Sequence, residues 1–264
     1  MSKPLIPAQR RERIQDYLAI HQIVRTADLC ALLDTSEATV RRDLEWLEIK
    51  GFLERTHGGA ILNQRMILEQ EYQQRAQAHP EEKRRIGELA ASLIEEGDIV
   101  FINSGTTATQ VLQHIRRDSR ITVFTNNVSA VMDLGDPGFH YYMIGGEFQS
   151  RSNSLAGRFA LDNLGLVYAN KAILGVDGIS LKHGCTVPTN AEAEVVHRMI
   201  ERTKGQVIVV ADHSKWGVVS NFPIANINEI NKLVTDESLD SSAVESLAAH
   251  EIECLLAASA PAQA

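Results

Sequence analysis

Apolar positions near the start of the chain recur at the spacing of helices. Val40, Leu44 and Leu47 stand at i, i+4 and i+7, which predicts a helix with one stripe facing a core. A shorter helix is predicted over residues 26–33, and residues 34–35 make the turn between the two. The pattern therefore indicates two helices joined by a tight turn.

Two further elements frame this pair of helices. Residues 8–21 are predicted to form a supporting helix, since their apolar positions also recur at helical spacing. Residues 52–56 and 60–62 predict two short strands around His57-Gly58-Gly59, which together form a hairpin. The order of helix, helix, turn, helix and hairpin is that of a winged helix-turn-helix. Residues 1–62 are therefore predicted to form a DNA-binding domain.

The outward face of the second helix of the pair suits a DNA duplex. A major groove admits one helix, arginine donates bidentate bonds to guanine, and a small residue lets the helix approach closely. The residues predicted to contact DNA are Ser36, Ala38, Thr39, Arg41, Arg42, Arg55 and His57. An alternative is a solvated face with an ion pair inside the helix, which the ordered set of elements disfavours. A winged helix used only for protein contacts is the other alternative.

Beyond residue 79 the pattern changes to short apolar runs that alternate with helical segments. Strands are predicted at 99–102, 121–124, 141–144, 172–174, 207–210 and 232–234. Helices are predicted between them, near 127–134, 157–166, 190–202 and 241–249. Continuous apolar strands separated by helices predict an α/β domain whose mainly parallel sheet is covered on both faces. This domain is predicted over 80–257, after a polar linker at 63–79 and before a flexible tail at 258–264.

Polar or glycine residues follow several of the predicted strands, at the edge where parallel sheets bind their ligands. Residues 104–107, Ser-Gly-Thr-Thr, open a helix directly after the strand at 99–102, where free N–H groups and the helix dipole favour an anion. This string alone is equally consistent with a plain capped helix. Asp177 and Asp212 can accept hydroxyls of a sugar, and Lys215 can pair with a phosphate. Together these strand ends predict a pocket for an anionic small molecule.

Charge and composition narrow the class of protein. The net charge of the 264-residue chain is −8, but residues 1–62 hold equal numbers of basic and acidic residues, so the excess acid lies beyond them. This distribution favours a specific regulator over a nonspecific nucleic-acid coat. Three widely spaced cysteines and scattered histidines predict no disulfide framework, no metal site and no cofactor. With neither a membrane-spanning run nor a signal peptide, we expect a cytoplasmic protein without a membrane partner.

A signature of the DeoR family of bacterial transcriptional regulators is similar to residues 36–60, SEATVRRDLEWLEIKGFLERTHGGA. In that family this segment reads DNA, so the resemblance implies that Thr39, Arg41 and Arg42 contact the groove and the backbone. Residues 34–35, Asp-Thr, depart from the usual glycine and aliphatic pair. Since Asp tolerates the left-handed conformation, we expect the turn to survive.

The C-terminal sensor domain of the DeoR family resembles INSGTT, TVFTNN, MIGGEF, ILGVDGIS, GCTVPTNAEAE and VVADHSKWG. Its fold is like those of ribose-5-phosphate isomerase and the coenzyme A transferases. By this resemblance, the phosphate of a phosphorylated sugar is held by Ser104, Gly105, Thr106 and Thr107. The effector site is completed by Asp212 and Lys215 and further lined by Asn126, Gly146, Asp177 and Glu192. Asn103 departs from the usual aspartate, which bears on sugar selectivity or affinity.

The sequence thus predicts a transcriptional regulator, a repressor of a carbohydrate-use operon. We expect a homo-oligomer, dimer or tetramer, whose binding to double-stranded operator DNA is controlled by a phosphorylated sugar. One alternative is an enzyme acting on a sugar phosphate, against which no carboxylate is singled out as a base. Another is an interaction module without a DNA role.

Overall fold

A computed structural model of the chain describes residues 5–21, 23–49, 52–56, 58–62 and 72–259. Two compact units are present, Met1–Glu71 and Tyr72–Ala264, here called the N-terminal and C-terminal units. His57, one of the residues predicted to contact DNA, lies outside the described residues. Among the described residues, no helix is both long enough and apolar enough for a membrane crossing.

The N-terminal unit is a winged helix-turn-helix. Its elements are α1 (Pro7–His21), β1 (Ile23–Arg25), α2 (Thr26–Leu33), α3 (Glu37–Ile49), β2 (Leu53–Thr56) and β3 (Gly59–Leu62). The three strands form an antiparallel sheet in the order β1-β3-β2. The hairpin of β2 and β3 was predicted from the sequence. The additional strand β1 was not, because three residues are too few to show a periodic pattern.

The apolar stripes of the three helices meet in one core. Its buried members include Ile14, Leu18, Leu29, Val40, Leu44 and Leu47. The turn between α2 and α3 is closed by Asp34, which adopts the left-handed conformation with φ 47° and ψ 53°. The N–H groups of Asp34 and Thr35 both donate to the Cys30 carbonyl of α2, as at an αL cap. The turn expected at residues 34–35 therefore forms without a glycine.

The C-terminal unit alternates strands and helices. Its helices are α4 (72–77), α5 (Pro80–Ala91), α6 (Thr106–His114), α7 (Val128–Leu134), α8 (Arg158–Gly165), α9 (Asn190–Glu201) and α10 (Ser241–Ala249). Its strands are β4 (Ile99–Ile102), β5 (Thr122–Thr125), β6 (His140–Met143), β7 (Glu147–Gln149), β8 (Ser154–Ala156), β9 (Ala169–Gly175), β10 (Gly178–Ser180), β11 (Gly184–Val187), β12 (Thr203–Val210), β13 (Phe222–Ala225), β14 (Lys232–Asp236) and β15 (Glu253–Ala257). All the strands and helices predicted for this domain are present, with ends shifted by a few residues.

Seven strands of this unit form one parallel sheet in the order β15-β14-β12-β9-β4-β5-β6. Successive residues of the central strands face opposite sides: Phe101 packs into one apolar cluster, whereas Val100 and Ile102 pack into the other. Helices cover both faces, which is why the strands are continuous apolar runs. The predicted α/β fold with a mainly parallel sheet is confirmed.

The C-terminal unit also contains two smaller antiparallel sheets. An antiparallel trio, β10-β11-β13, and the β7-β8 hairpin follow the strand ends and were not predicted, because each strand has only three or four residues. The expected linker, 63–79, reaches into this unit. Residues 63–71 lie outside the described residues, but residues 72–77 form the short helix α4 of the C-terminal unit. We call residues 72–79 the connector segment.

Candidate ligand cavity and nucleic-acid interface

Helix α3 buries one apolar stripe and exposes two arginines on its outward face. Val40, Leu44 and Leu47 are buried, whereas Arg41 and Arg42 are exposed. The remaining predicted contact residues of this region are placed as follows: Ser36, Ala38 and Arg55 are exposed, and Thr39 is half-buried. The structure therefore brings every described residue of the predicted DNA-contacting set to the surface of one unit.

The start of α3 is capped by Ser36. The Thr39 N–H donates to the Ser36 carbonyl at 3.0 Å and lies 3.4 Å from Ser36 Oγ, and the two hydroxyls are 3.0 Å apart. These contacts satisfy N–H groups of the first turn. The exposed end of α3 is thus held by residues that were predicted to approach DNA.

Asp43 stands next to Arg42 in the sequence but points the other way. It is buried, and its two carboxylate oxygens accept hydrogen bonds from Arg10 Nε at 2.8 Å and Arg11 Nε at 2.9 Å. Arg11 also lies over the Trp46 ring, 4.3 Å from its centroid. This pairing ties α1 to α3 and fixes the rotation of α3 about its own axis. The role of Asp43 was not predicted from the sequence.

Two predicted DNA-contacting arginines hold carboxylates of their own unit. Arg41 Nη2 is 2.6 Å from Glu37 Oε1, one helical turn away, so the ion pair considered in the sequence is present on an exposed face. Arg55 is held more firmly, because Glu48 accepts from both its backbone N–H at 3.0 Å and its Nε at 2.7 Å. The hydrogen bond from the Arg55 backbone N–H lowers the pKa of Glu48 most, and the bond from the Arg55 side chain lowers it further. Exposed ion pairs are weak, so either arginine can exchange its partner for a phosphate.

A cavity of the C-terminal unit lies beyond the carboxyl ends of the central strands. β4 and β9 are neighbours, but the chain runs from β4 toward one edge of the sheet and from β9 toward the other. Ligands bind at such switch points, because the loops diverge and leave a crevice. The cavity is lined by every predicted effector residue except Gly146, namely Ser104, Gly105, Thr106, Thr107, Asn126, Asp177, Glu192, Asp212 and Lys215.

Part of the cavity lining presents hydrogen-bond donors. Gly105 precedes α6 with φ 131°, a conformation that side chains rarely adopt, and it has no side chain with which to cap the helix. The first-turn N–H groups of α6 have no partners within the helix, and Ser104, Thr106 and Thr107 add hydroxyls. The helix dipole and Lys215 supply positive charge. These donors and positive charges suit an anion.

Other residues of the lining present unused acceptors. Asn126 Oδ1 and Glu192 Oε2 are buried and have no hydrogen-bond partner in the described part of the chain. The Asn126 amide is oriented by its other end, where Nδ2 donates to the Leu155 carbonyl at 2.9 Å. An unsatisfied buried acceptor costs about 1–3 kcal/mol, so these oxygens suit a ligand that brings hydroxyl donors. Asp177 lies at the same cavity.

The turn that carries Asp212 and Lys215 is held by hydrogen bonds to two buried carboxylates. Asp212 Oδ1 accepts from the Ser214 N–H at 3.1 Å and from the Ser214 hydroxyl. Asp236 Oδ2 accepts from the His213 N–H at 2.8 Å, and its Oδ1 lies 2.9 Å from His213 Nδ1. Burial pushes the pKa of Asp236 upward, but the backbone N–H donors of His213 and Ser238 outweigh it, so the pKa lies below its ordinary value.

Gly146 does not line the cavity. It lies between β6 and β7, and a Cβ there would stand 2.4 Å from the Ala156 carbonyl oxygen. The glycine is needed because the β7–β8 hairpin passes so close to its backbone. Its place in the sequence, after a predicted strand, is shared with the lining residues, so the sequence pattern alone could not separate it from them.

Lys83 lines the cavity although the sequence analysis did not select it. Its ammonium is buried, donates to the carbonyls of Arg75 and Ala78, the latter at 2.6 Å, and lies 4.0 Å from Asp212 Oδ2. Burial lowers the pKa of Lys83; Asp212 opposes this shift, and Lys215 and Arg75 add to it. A signal was present in the sequence, because Lys83 occupies the apolar stripe of α5 with Ile86.

Arg75 and His79 also line the cavity and were missed. Both fall in the segment predicted to be a linker, where no periodic pattern marks them. Asn103, Ser152 and Ser214 complete the polar lining.

Comparison with known protein families settles which family has this arrangement. Residues 10–66 match the DeoR-like helix-turn-helix domain, and residues 78–237 match the DeoR C terminal sensor domain. The chain belongs to the DeoR family. It is therefore a DNA-binding transcriptional regulator and not an enzyme.

Relatives of this DeoR-family chain match it over nearly its whole length. The HTH-type transcriptional repressor GlcR of Bacillus subtilis (strain 168) is 36% identical over 249 residues, which is 94% of this chain and 95% of the relative. A putative aga operon transcriptional repressor of Escherichia coli O157:H7 is 29% identical, over 94% of this chain and 93% of the relative.

The solved structures that align with the chain are more distant in sequence. The sorbitol operon regulator SorC from Klebsiella pneumoniae aligns with a TM-score of 0.42 and 12% identity, covering 88% of this chain and 96% of that chain. Ribose 5-phosphate isomerase A from Methanocaldococcus jannaschii aligns with a TM-score of 0.38 and 11% identity, covering 53% of this chain and 55% of that chain.

Proposed function

We propose that this DeoR-family regulator represses a carbohydrate-use operon and that a phosphorylated sugar in the cavity controls its binding to operator DNA. The observation that carries the proposal is that the cavity lining combines hydrogen-bond donors with buried acceptors that have no partner in the described part of the chain. An anion fits the first turn of α6, and hydroxyls fit the buried acceptors of Asn126 and Glu192.

Charges around the cavity support a ligand of this kind. Lys215 and Lys83 bring ammonium groups, while Asp177 and Asp212 bring carboxylates. A purely anionic ligand would meet both carboxylates and leave the acceptors unused, and a neutral sugar would leave the helix N-terminus and the lysines unused. A phosphorylated sugar satisfies both sets of groups, since its phosphate meets the donors and lysines and its hydroxyls meet the acceptors.

The DNA-contacting part of the proposal rests on the exposed face of α3 and the wing. Arg41 and Arg42 are exposed, so they can enter a major groove or pair with phosphates, and the exposed Arg55 on β2 can pair with a flanking phosphate. In a cytoplasmic homo-oligomer, two such units bind two half-sites, and linking them multiplies their binding energies. A ligand-dependent change in the spacing of the units then releases or strengthens binding.

The ligand is tested by calorimetric titration of the full chain with pentose and hexose phosphates and with their unphosphorylated parents. We expect one phosphorylated sugar to bind and its parent to bind about tenfold to a hundredfold more weakly, because charged hydrogen bonds to the phosphate are lost. Lys215→Ala and Thr106→Val should weaken binding, whereas Thr106→Ser should retain it.

The matched control is Lys182→Ala, which removes an exposed lysine from outside the cavity. Equal affinity for a phosphorylated sugar and its parent would refute the phosphate assignment. Unchanged binding by Lys215→Ala would show that the site residues are wrong.

A further inference from the structure

One wall of the cavity does not come from the strand ends. It is built by Arg75, Ala78 and His79 of the connector segment, together with Lys83 of α5. Along the chain, this segment is the first part of the C-terminal unit after Glu71, where the N-terminal unit ends. The cavity is therefore lined in part by the stretch of chain through which the DNA-contacting unit is attached.

The connector segment is held by Thr109 and His213, which lie next to residues that line the cavity. The Tyr72 hydroxyl lies 3.3 Å from Thr109 Oγ1, which in turn donates to the Gly105 carbonyl at 2.9 Å at the start of α6. At the other end, the His79 ring packs edge-on against His213, with 4.8 Å between ring centroids. Any ligand that shifts these loops shifts the contacts of the segment as well.

Lys83 secures the middle of the segment. It donates to the carbonyls of Arg75 and Ala78, at the C-terminal end of α4, where carbonyls have no partners within the helix. Its ammonium also lies near Asp212 of the cavity. The position of α4 and the charges of the cavity are thus joined through one buried lysine.

Arg75 has donors to spare. Its Nη2 donates to the Arg151 carbonyl at 2.6 Å, and its Nη1 is 3.7 Å from Asp177 Oδ1, a long and partly exposed ion pair. Its Nε is buried and has no hydrogen-bond partner among the residues that the structure describes. A guanidinium has five N–H donors and binds phosphate in a bidentate manner more strongly than it holds a distant carboxylate.

We propose that Arg75 is a ligand-binding residue that contacts the anionic group and, by exchanging Asp177 for the ligand, makes the position of residues 72–79 depend on occupancy of the cavity. The proposal rests on the proposed function, since it requires that the cavity bind an anion. It adds a direct route from the ligand to the segment that leads to the DNA-contacting unit. Effector control then requires no change in the parallel sheet.

The test compares the full-length protein with Arg75→Gln, which keeps a polar side chain but loses the charge and the fork of donors. Binding of inorganic phosphate and of the panel of sugar phosphates is measured by calorimetry. Hydrogen–deuterium exchange of residues 72–79, where the Ala78 N–H donates to the Gln74 carbonyl, is followed with and without these compounds. The matched control is Arg158→Gln, an exposed arginine of α8 that pairs with Asp162 outside the cavity.

In the parent protein and in Arg158→Gln, ligand should change exchange in residues 72–79. In Arg75→Gln, affinity should fall by about tenfold or more, and the exchange response should be lost at saturation. Tyr72→Phe, which leaves the cavity lining intact, should keep the affinity but alter the exchange of the segment.

The outcomes separate the two levels of the account. If the parent binds neither phosphate nor any sugar phosphate, the proposed function fails and the inference fails with it. If the parent binds but Arg75→Gln binds equally well, Arg75 is not a ligand contact and only the inference is overturned. If Arg75→Gln binds more weakly yet shows the parent's exchange response at saturation, the coupling through Arg75 is refuted.

Discussion

The side-chain amide of Asn103 and the backbone of Gly175 hold each other through a pair of hydrogen bonds. Asn103 Oδ1 accepts from the Gly175 N–H at 2.7 Å, and its Nδ2 donates to the Gly175 carbonyl at 2.9 Å. The pair joins the ends of β4 and β9, the strands at the switch point below the cavity. A carboxylate cannot make both bonds, because it has no N–H. The Asn103 amide therefore fixes the ends of β4 and β9 next to the cavity, because it can both donate and accept a hydrogen bond.

Replacing Asn103 by Asp should destabilise the C-terminal unit. The variant keeps the acceptor but sets a carboxylate oxygen against the buried carbonyl of Gly175, which costs about 1–3 kcal/mol of unfolding free energy. It should also weaken binding of a sugar phosphate, since it adds a negative charge to an anion site. Urea unfolding and calorimetry measure these effects. Asn221→Asp, at an exposed position, is the control, and equal loss in both variants would refute the role given to the pair.

Replacing Arg42 by Ala should weaken operator binding by about 1–3 kcal/mol if the side chain reads a base. If it pairs with a phosphate instead, binding should weaken on all sequences and the salt dependence should fall by about one charge. Fluorescence anisotropy at several salt concentrations distinguishes the two. Arg116→Ala removes an exposed arginine of the C-terminal unit and should leave both quantities unchanged. Parent-like affinity of Arg42→Ala on every sequence would exclude a contact by this residue.

Replacing Asp43 by Asn should destabilise the N-terminal unit by about 1–3 kcal/mol, because Arg10 and Arg11 lose the charge that both of them contact. Since Arg11 lies over the Trp46 ring, fluorescence of this tryptophan during urea unfolding follows the change. Asp16→Asn, at an exposed position of α1, serves as the control. An unfolding midpoint of Asp43→Asn equal to that of Asp16→Asn would show that the pairing does not stabilise the unit.

Acid should weaken the turn that carries Asp212 and Lys215. The pKa of Asp236 is lower in the folded chain than in the unfolded chain, where it is about 3.9, so its ionised form stabilises the fold above that pH. This stabilisation is lost as pH falls through the folded-state pKa. The parent should therefore exceed Asp236→Asn in unfolding free energy at pH 6 by a margin that shrinks below about pH 4. A margin that is independent of pH would contradict the lowered pKa.

The elements that could be predicted from the sequence are those with a regular pattern of apolar residues. The spacing of Val40, Leu44 and Leu47 predicted α3. Continuous apolar runs predicted the parallel sheet, because strands buried on both faces do not alternate between apolar and polar residues. Polar residues at strand ends were predicted to converge, because parallel strands share one carboxyl edge. The structure brings these residues together at one cavity.

The remainder depends on contacts between residues distant in the sequence. Arg75 reaches the cavity only because α4 folds back onto it, and Asn103 meets Gly175 only because β4 and β9 are neighbours. Gly146 occupies a strand end like its lining counterparts, but the β7–β8 hairpin directs it elsewhere. Short strands such as β1 form because β3 is there to pair with them. Such pairings leave no periodic trace in the sequence.

The central claim is that a phosphorylated sugar controls operator binding by this regulator. The most direct measurement is an electrophoretic mobility shift on the promoter region that adjoins its own gene, repeated with the panel of phosphorylated sugars and their parents. We expect a specific shift that one phosphorylated sugar strengthens or relieves. The Lys215→Ala variant should show the same shift but should not respond to the sugar. A specific shift that no phosphorylated sugar alters, or that Lys215→Ala shows with the parent's response, would contradict the central claim.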